Sequence, residues 1–318
     1  MLNRKNKLLL KKIVSMFSVI RGYNIPVIAL AQYLGAIFIL SPPEMPALKV
    51  LLDSNLFLLV LASSIAIASG YIINNFYDSE KDLINRPRKS MLDRLVSQKT
   101  KLYVYFSANF VAVFVGWLVS WRVALFYAVY IFVIWFYSHK LKKYPIIGNL
   151  TACLLAVAPF FGILLYFGKL DPHSMFRANQ LEIIISHAAF LFLLLLIREM
   201  TKDLENLRGD FATDYKTIPV VYGENTSKTI ITVLCLLTVV PVYALIELFD
   251  VGYMDIYFYM CLTFLLFFVI FLWRSDRRKQ FLALHNWLKF IIVAGVFCIV
   301  LIEPSVLWHG KKILLSGM

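Results

Sequence analysis

Asn74, Asp78 and Asp82 recur at four-residue intervals in the segment YIINNFYDSEKDLINRP, residues 71–87. On a helix each four-residue step drifts by about 40°, so the three side chains share one face, a turn apart. Two carboxylates and an amide oxygen along one stripe form a hard, oxygen-only donor set. Magnesium takes such ligands, commonly one or two carboxylates with substrate phosphates completing its shell. A merely polar helix end explains the stripe poorly. The carbonyl end of a helix already carries about half a negative charge and disfavours Asp by a few tenths of a kcal/mol. A bound cation supplies the reason for placing acids there.

A second acidic group follows in REMTKDLENLRGD, residues 198–210, with KTIP at 216–219. Here too the acids gather at the end of an apolar run. Gly209 and the later Pro219 predict that the chain leaves helical geometry, letting Asp210 turn back toward Asp203. Alone, this segment also reads as a solvated charged loop. Paired with the first motif it can clamp a diphosphate between metal ions.

The elements that must position these residues are apolar. Hydrophobic residues make up 60% of the 318-residue chain and charged residues only 16%, against roughly 45–50% and about 25% in soluble domains. Apolar runs fall at roughly 23–41, 55–76, 102–120, 122–138, 146–167, 182–199, 228–248, 255–273 and 286–306. About 20 residues of helix cross the ~30 Å hydrocarbon layer, and in lipid a helix satisfies its own backbone. An all-α polytopic membrane protein of about nine transmembrane helices in one bundle is therefore predicted, as a single domain over residues 1–318. Residues 1–17 form its basic amino-terminal segment. That start leads into a long apolar run, which reads as a retained first helix rather than a cleaved leader.

Pro42, Pro43 and Pro46 mark one predicted turn, and Gly168 to Pro172 another. With the amino terminus cytoplasmic, 26 of the 32 Lys and Arg residues fall on the inside, the pattern the positive-inside rule favours. Lys49, Arg122, Lys169, Arg177, Lys311 and Lys312 stay outside, which puts Arg122 in a tight outer turn. Both acidic motifs then face the cytoplasm. The formal net charge of +13 is spread over short loops between apolar runs, which argues against nucleic acid as a partner. Cys153, Cys235, Cys261 and Cys298 lie far apart in apolar segments and read as packing residues, not as a metal or disulfide framework.

The two motifs resemble those of the UbiA superfamily of intramembrane prenyltransferases. Asn74, Asp78 and Asp82 fit its first motif, N-x-x-x-D-x-x-x-D, while Asp203 and Asp210 fit the ends of a second, K-D-x-x-D-x-x-G-D. Further matching stretches are Arg21 with Asn24, Asn85-Arg86-Pro87, Tyr137-Ser138, Leu141-Lys142-Lys143, Gly148-Asn149 and Lys216 to Pro219. The likeness runs in detail from about residue 18 to 223. Two positions depart from the pattern. Asn206 stands at the middle acid of the second motif, weakening one ligand or passing it to Glu205, and Asn75 stands where many relatives carry Asp.

The resemblance implies Mg2+ held by Asn74, Asp78, Asp82, Asp203 and Asp210, which are also the implied catalytic residues. It implies substrate contacts from Arg21, Asn24, Arg86, Arg88, Tyr137, Lys142, Lys202 and Asn206. The implied reaction ionises a prenyl diphosphate in a dry tunnel and passes the prenyl group to a membrane-associated acceptor. Aromatic rings can steady the cation, with Tyr71, Phe76, Tyr77, Tyr130, Trp135, Phe136 and Tyr137 as candidates, though most read as packing. His139 is a candidate proton acceptor or an interfacial residue. The motif wording is nearest the branch that adds a second geranylgeranyl group to geranylgeranylglycerol phosphate; aromatic-acceptor enzymes of quinone synthesis are the alternative.

A secondary transporter is the reading from another class. Its charges would lie at mid-membrane on broken helices, whereas these acids cluster at the ends of uninterrupted runs. The D-G-x-x-A-R signature of alcohol phosphatidyltransferases is missing from the chain.

Overall fold

The computed structural model describes residues 4–42, 45–170, 178–249 and 251–309, and among them no strand occurs. The chain is an all-α polytopic membrane protein. Helix α1 (Arg4–Val19) bends through a short turn into α2 (Asn24–Gly35), which a π turn extends to Leu40. Then come α3 (Ala47–Leu51), α4 (Ser54–Tyr77), α5 (Ser79–Asn85), α6 (Pro87–Asp93), α7 (Gln98–Val119) and α8 (Trp121–His139). The second half holds α9 (Ile147–Leu170), α10 (Ala178–Ala212), α11 (Ile218–Tyr222), α12 (Glu224–Leu237) and α13 (Val239–Tyr243). The last three are α14 (Met254–Trp273), α15 (Arg278–Cys298) and α16 (Ser305–His309). Among the described residues, eight helices are long and apolar enough to cross a membrane. The pair Asn6–Val19 and Asn24–Leu40, bent by 43°, meets the same criterion only when taken together, as a broken span or a re-entrant loop, which gives eight to nine. These spans follow the nine apolar runs.

The outer surface explains the composition. Phe106, Phe110 and Trp117 on α7, Phe132 on α8 and Phe267 on α14 are all more than half exposed. In water so much apolar surface would drive association; in lipid it is solvated. Lipid tails supply no hydrophobic drive between helices, so small residues must let them approach. On α4, Ala62, Ser63, Ala66, Ser69 and Gly70 are buried for this purpose. Polar caps fix the ends: Asp53 accepts from the N–H groups of Asn55 (2.8 Å) and Leu56 (3.2 Å) at the start of α4. Ser120 caps α8 in the two-helix turn that holds exposed Arg122, matching the predicted turn. All four cysteines are free thiols.

Helix α10 governs where the chemistry lies. At about 1.5 Å per residue its 35 residues span about 52 Å, well beyond a ~30 Å layer. Its last turns project past the apolar zone and carry the second motif. The sequence predicts a break near Gly209, but the helix runs on to Ala212. Packing against α5 stabilises the extra turns, and Pro219 instead opens α11 at its first turn, where a missing N–H costs nothing. Pro43, Pro172, Arg177, Lys311 and Lys312 of the sequence reading lie outside the described residues.

Candidate active site

A polar cleft opens at the end of the bundle that carries the charged loops, holding about 820 Å³ of space including its mouth. The first motif forms one wall. Asp78 ends α4, yet the i→i−4 ladder continues across it, from Asp78 N–H to the Asn74 carbonyl (2.9 Å) and from Asp82 N–H to that of Asp78 (2.8 Å). Asn74, Asp78 and Asp82 therefore keep one face as predicted, and all three line the cleft.

The second motif forms the opposite wall. Because α10 is unbroken, Asp203 and Asp210 share a face two turns apart, seven residues making nearly two full turns. Asp210 does not turn back toward Asp203. It is fully buried and pairs with Lys81 at 2.8 Å, behind the cleft rather than lining it. Asp203 lines the cleft and accepts from Asn149 Nδ2 at 2.7 Å. Asn206 lines it too. Glu205 points the other way, to Arg86 (3.1 Å) and His285 (2.7 Å), so it does not stand in for the missing middle acid.

A third wall comes from the turn between α8 and α9. Ile146 has φ 62°, an uncommon value for a β-branched residue, and a Cβ on Gly148 would lie 3.1 Å from the Leu141 carbonyl. This tight turn delivers Lys142, whose Nζ donates to Asn74 Oδ1 at 2.9 Å and to Asp78 Oδ1 at 2.7 Å. The end of α10 adds another contact. Asp214, with φ 55°, reverses the chain just after α10, and the hydroxyl of Tyr215 donates to Asp78 Oδ1 at 2.9 Å.

The charges respond to one another. Burial alone would raise the Asp78 carboxyl, but Lys142, Lys81 and the donated hydrogen bonds outweigh it and hold it at about 2. Burial, and then the charge of Asp78, raise Asp82 against the pull of Arg86 and Arg21. Burial lowers the Lys81 ammonium, and Asp78 with Asp210 reverse this and raise it. Both motifs therefore belong to one electrostatic unit, with ammonium groups between the carboxylates.

Of the residues expected to touch substrate, Arg21, Arg86, Tyr137, Lys142, Lys202 and Asn206 line the cleft. Asn24 does not, and exposed Arg88 faces away while its neighbour Lys89 faces in. Tyr71 and Tyr137 alone of the named aromatics line the cleft. His139 is exposed, stacks on Trp135 at 5.5 Å between ring centres and does not line the cleft. The sequence gives no site role to Lys81, Glu199 or Tyr215, and Asn149 enters only through the matching stretch Gly148-Asn149.

Asn75 has a physical role that Asp cannot fill. Its Oδ1 accepts from Lys101 (2.8 Å) and its Nδ2 donates to buried Asp93 (2.9 Å), which also pairs with Lys89. Asn75→Asp removes that donor and sets two carboxylates together, at a cost of about 1–3 kcal/mol. A lower Tm in detergent than that of the parent is the expected result.

The sequence profile of the UbiA prenyltransferase family matches residues 29–301. Digeranylgeranylglyceryl phosphate synthase of Thermococcus sibiricus is 30% identical over 223 residues, covering 70% of this chain and 73% of the relative. The enzyme of that name from Methanobrevibacter smithii is 30% identical over 224 residues, 67% of this chain and 75% of its own. A solved structure from work on digeranylgeranylglyceryl phosphate synthase in membranes has a TM-score of 0.64 at 20% identity, covering 92% of this chain and 98% of its own. A UbiA homologue from Archaeoglobus fulgidus bound to GPP and Mg2+ gives 0.63 at 14% identity, covering 90% of this chain and 99% of its own. Fold and family together define an integral-membrane prenyltransferase. The chain belongs to the UbiA prenyltransferase family.

Proposed function

We propose that this enzyme transfers a geranylgeranyl group from its diphosphate to geranylgeranylglycerol phosphate, at the cytoplasmic face and within one membrane-embedded unit. The observation that carries the reading is convergence. Lys81 of the first motif reaches Asp210 of the second at 2.8 Å, and Tyr215, just beyond the second, reaches Asp78 at 2.9 Å. Names of the similar archaeal synthases support the acceptor.

The donor set suits magnesium. Asn74, Asp78, Asp82, Asp203, Glu199 and Asn206 offer only hard oxygens or amides to the cleft, and one cationic group, the Lys142 ammonium, already bridges Asn74 and Asp78. Among the described residues no three acids, His or Cys meet closely enough to hold an ion by themselves. Such a site completes its shell with diphosphate oxygens and water, as magnesium sites commonly do. Asn74, Asp78, Asp82 and Asp203 would hold the metal, with Asp210 fixing Lys81 behind them. When bound, magnesium neutralises the charge that builds on the departing diphosphate.

The chain's own residues do the rest. Lys81, Lys142 and Lys202 donate to diphosphate oxygens. Tyr71 and Tyr137 both line the cleft, and because the Arg21 guanidinium already lies over the Tyr71 ring at 5.0 Å, the Tyr137 ring is the one offered to steady a cation, by about 0.5–2 kcal/mol. Farther along α10 an apolar chamber of about 970 Å³, lined by Phe160, Leu164, Phe190 and Leu194 among others, takes the prenyl chain and excludes water.

The test offers the protein in membranes labelled geranylgeranyl diphosphate, magnesium and a panel of acceptors. Lipid-soluble product with the glycerol-phosphate ether alone, lost on adding a chelator, is expected. Product with an aromatic acid alone would overturn the acceptor.

A further inference from the structure

Helix α1 suits a membrane surface better than a crossing. Its 16 residues span about 24 Å, short of a ~30 Å hydrocarbon layer, and five of them are Lys or Arg. No Asp or Glu precedes Glu44. At about 100° per residue, Leu9, Leu10, Ile13, Val14 and Phe17 fall within an arc of about 140°. Lys7, Lys11, Lys12, Ser15 and Ser18 share the remaining side, interrupted by Leu8 and by Val19, which packs inward. Residues 6–14 are all exposed, so the bundle covers neither side of that stretch. An apolar face opposite a basic one, at low overall hydrophobicity, is the pattern of a helix lying in the membrane interface.

The docking of its last turns sets which way it lies. On the polar side Ser15 donates to the Leu92 carbonyl and Ser18 to the Asp93 carboxylate, each at 2.7 Å. Both acceptors belong to α6, in the charged loop that follows the first motif. The polar side therefore faces the loops and the apolar side faces lipid, which leaves Lys7, Lys11 and Lys12 at the level of the headgroups.

The far end of α1 enters the cleft. The Gly22 N–H donates to the Phe17 carbonyl at 2.9 Å and the Arg21 N–H to that of Ser18 at 3.2 Å, the two bonds of a Schellman cap. Arg21 takes the left-handed position of that cap, with φ 49°. Glycine is usual there, and a side chain in that conformation carries strain. This arginine lines the cleft, with its guanidinium 5.0 Å from the centre of the Tyr71 ring. Asp93, the acceptor of Ser18, also pairs with Lys89, another cleft residue. What holds α1 in place thus holds two cations of the cleft.

We propose that α1 lies in the membrane interface and binds anionic lipid headgroups through Lys7, Lys11 and Lys12, and that the surface charge of the bilayer thereby holds Arg21 in the cleft. A basic side chain near an anionic surface gains about fivefold in association. The inference does not depend on which acceptor the enzyme uses.

The experiment uses the full-length protein in vesicles of phosphatidylcholine alone or mixed with phosphatidylglycerol. Measured with spin-labelled lipids, the parent should favour phosphatidylglycerol by about fivefold at about 0.1 M salt and lose most of that preference at about 1 M. The triple variant Lys7→Gln, Lys11→Gln, Lys12→Gln should abolish the preference. A control triple, Lys140→Gln, Arg274→Gln, Lys279→Gln, removes the same charge from exposed sites elsewhere and should keep it. A thiolodiphosphate analogue of the donor, with magnesium, reports on the cleft. The α1 variant should match the parent in phosphatidylcholine and bind the analogue about fivefold more weakly once phosphatidylglycerol is present. Weaker binding in both kinds of vesicle would be a loss of general attraction and would count against the link to Arg21. Equal loss of lipid preference in the two triple variants would reduce it to net charge and overturn the site. Lipid preference held by α1 with unchanged analogue binding would overturn the link to Arg21. No lipid preference in the parent, with dimers in detergent that the α1 variant lacks, would give this face to a second copy of the chain and overturn the proposal.

Discussion

Asp78→Asn is expected to lower turnover by at least about 10³-fold, comparable to removing a principal charge-stabilising group elsewhere. The substitution keeps the shape of the side chain but takes away the carboxylate on which Lys142 and Tyr215 both converge. Two effects then add. The proposed metal loses its central ligand in the first motif, and the Lys142 ammonium loses its ion pair at 2.7 Å. Initial rates at saturating donor and magnesium measure the first effect. The elution profile in detergent checks that the fold survives, since Asp78 lies at the open end of the bundle and not in its core. Turnover within about tenfold of the parent would remove Asp78 from the chemistry.

Gly209→Ala is expected to lower activity by about 10²-fold through position alone. No cleft residue changes. A Cβ at this position would lie 2.2 Å from Asn85 Nδ2. Asn85 is 2% exposed and cannot swing away freely. Its amide accepts from the Gly209 N–H at 3.2 Å and donates to the Asn206 carbonyl at 3.3 Å, while its own carbonyl accepts from Arg278. These bonds staple the first motif to the second. Forcing them apart leaves buried polar groups unpaired, at about 1–3 kcal/mol, and shifts α5 against α10. A displacement of about 1 Å at a reacting centre can cost about 10²-fold. Adding Asn85→Ala should relieve the clash, so the double variant should recover Tm relative to Gly209→Ala while activity stays low. Recovery of both would make the contact a matter of stability only.

Much of this site can be read along the chain because it obeys helical periods. Asn74, Asp78 and Asp82 step by four and do share a face. Asp203 and Asp210 step by seven, which also keeps one face, but only if the helix continues. Gly209 argues locally for a stop, and the packing of Asn85 against it overrides that signal. The glycine is needed for close approach, not for a turn. Arg88 and Lys89 differ by one residue, about 100° on a helix, and where α6 begins decides which of them faces the cleft. Tyr215 could not be read at all, since its reach to Asp78 depends on the left-handed conformation of Asp214. Lys81 was legible in principle: it lies three residues beyond Asp78, on the same face, but an ammonium among presumed metal ligands does not advertise itself as one.

The spans were legible for a simpler reason. Lipid imposes length and apolarity on every crossing, and no tertiary detail alters that demand. Helix α1 was less so. Its apolar residues Leu8, Leu9, Ile13 and Phe17 are exposed, while Ser15 and Ser18 bond to Leu92 and Asp93 at 2.7 Å each. The two serines, with Met16 and buried Val19 packed into the core, fix where it docks.

In the proposed mechanism, acids from two separate spans act on one diphosphate. A double-mutant cycle on donor binding decides this, with a thiolodiphosphate analogue of the donor titrated onto parent, Asp78→Asn, Asp203→Asn and the double variant, with and without magnesium. Binding by the parent should require magnesium, each single variant should weaken it by about 10²-fold or more, and the double variant should be scarcely worse than either. Losses that simply add, or tight binding without magnesium, would contradict a shared site.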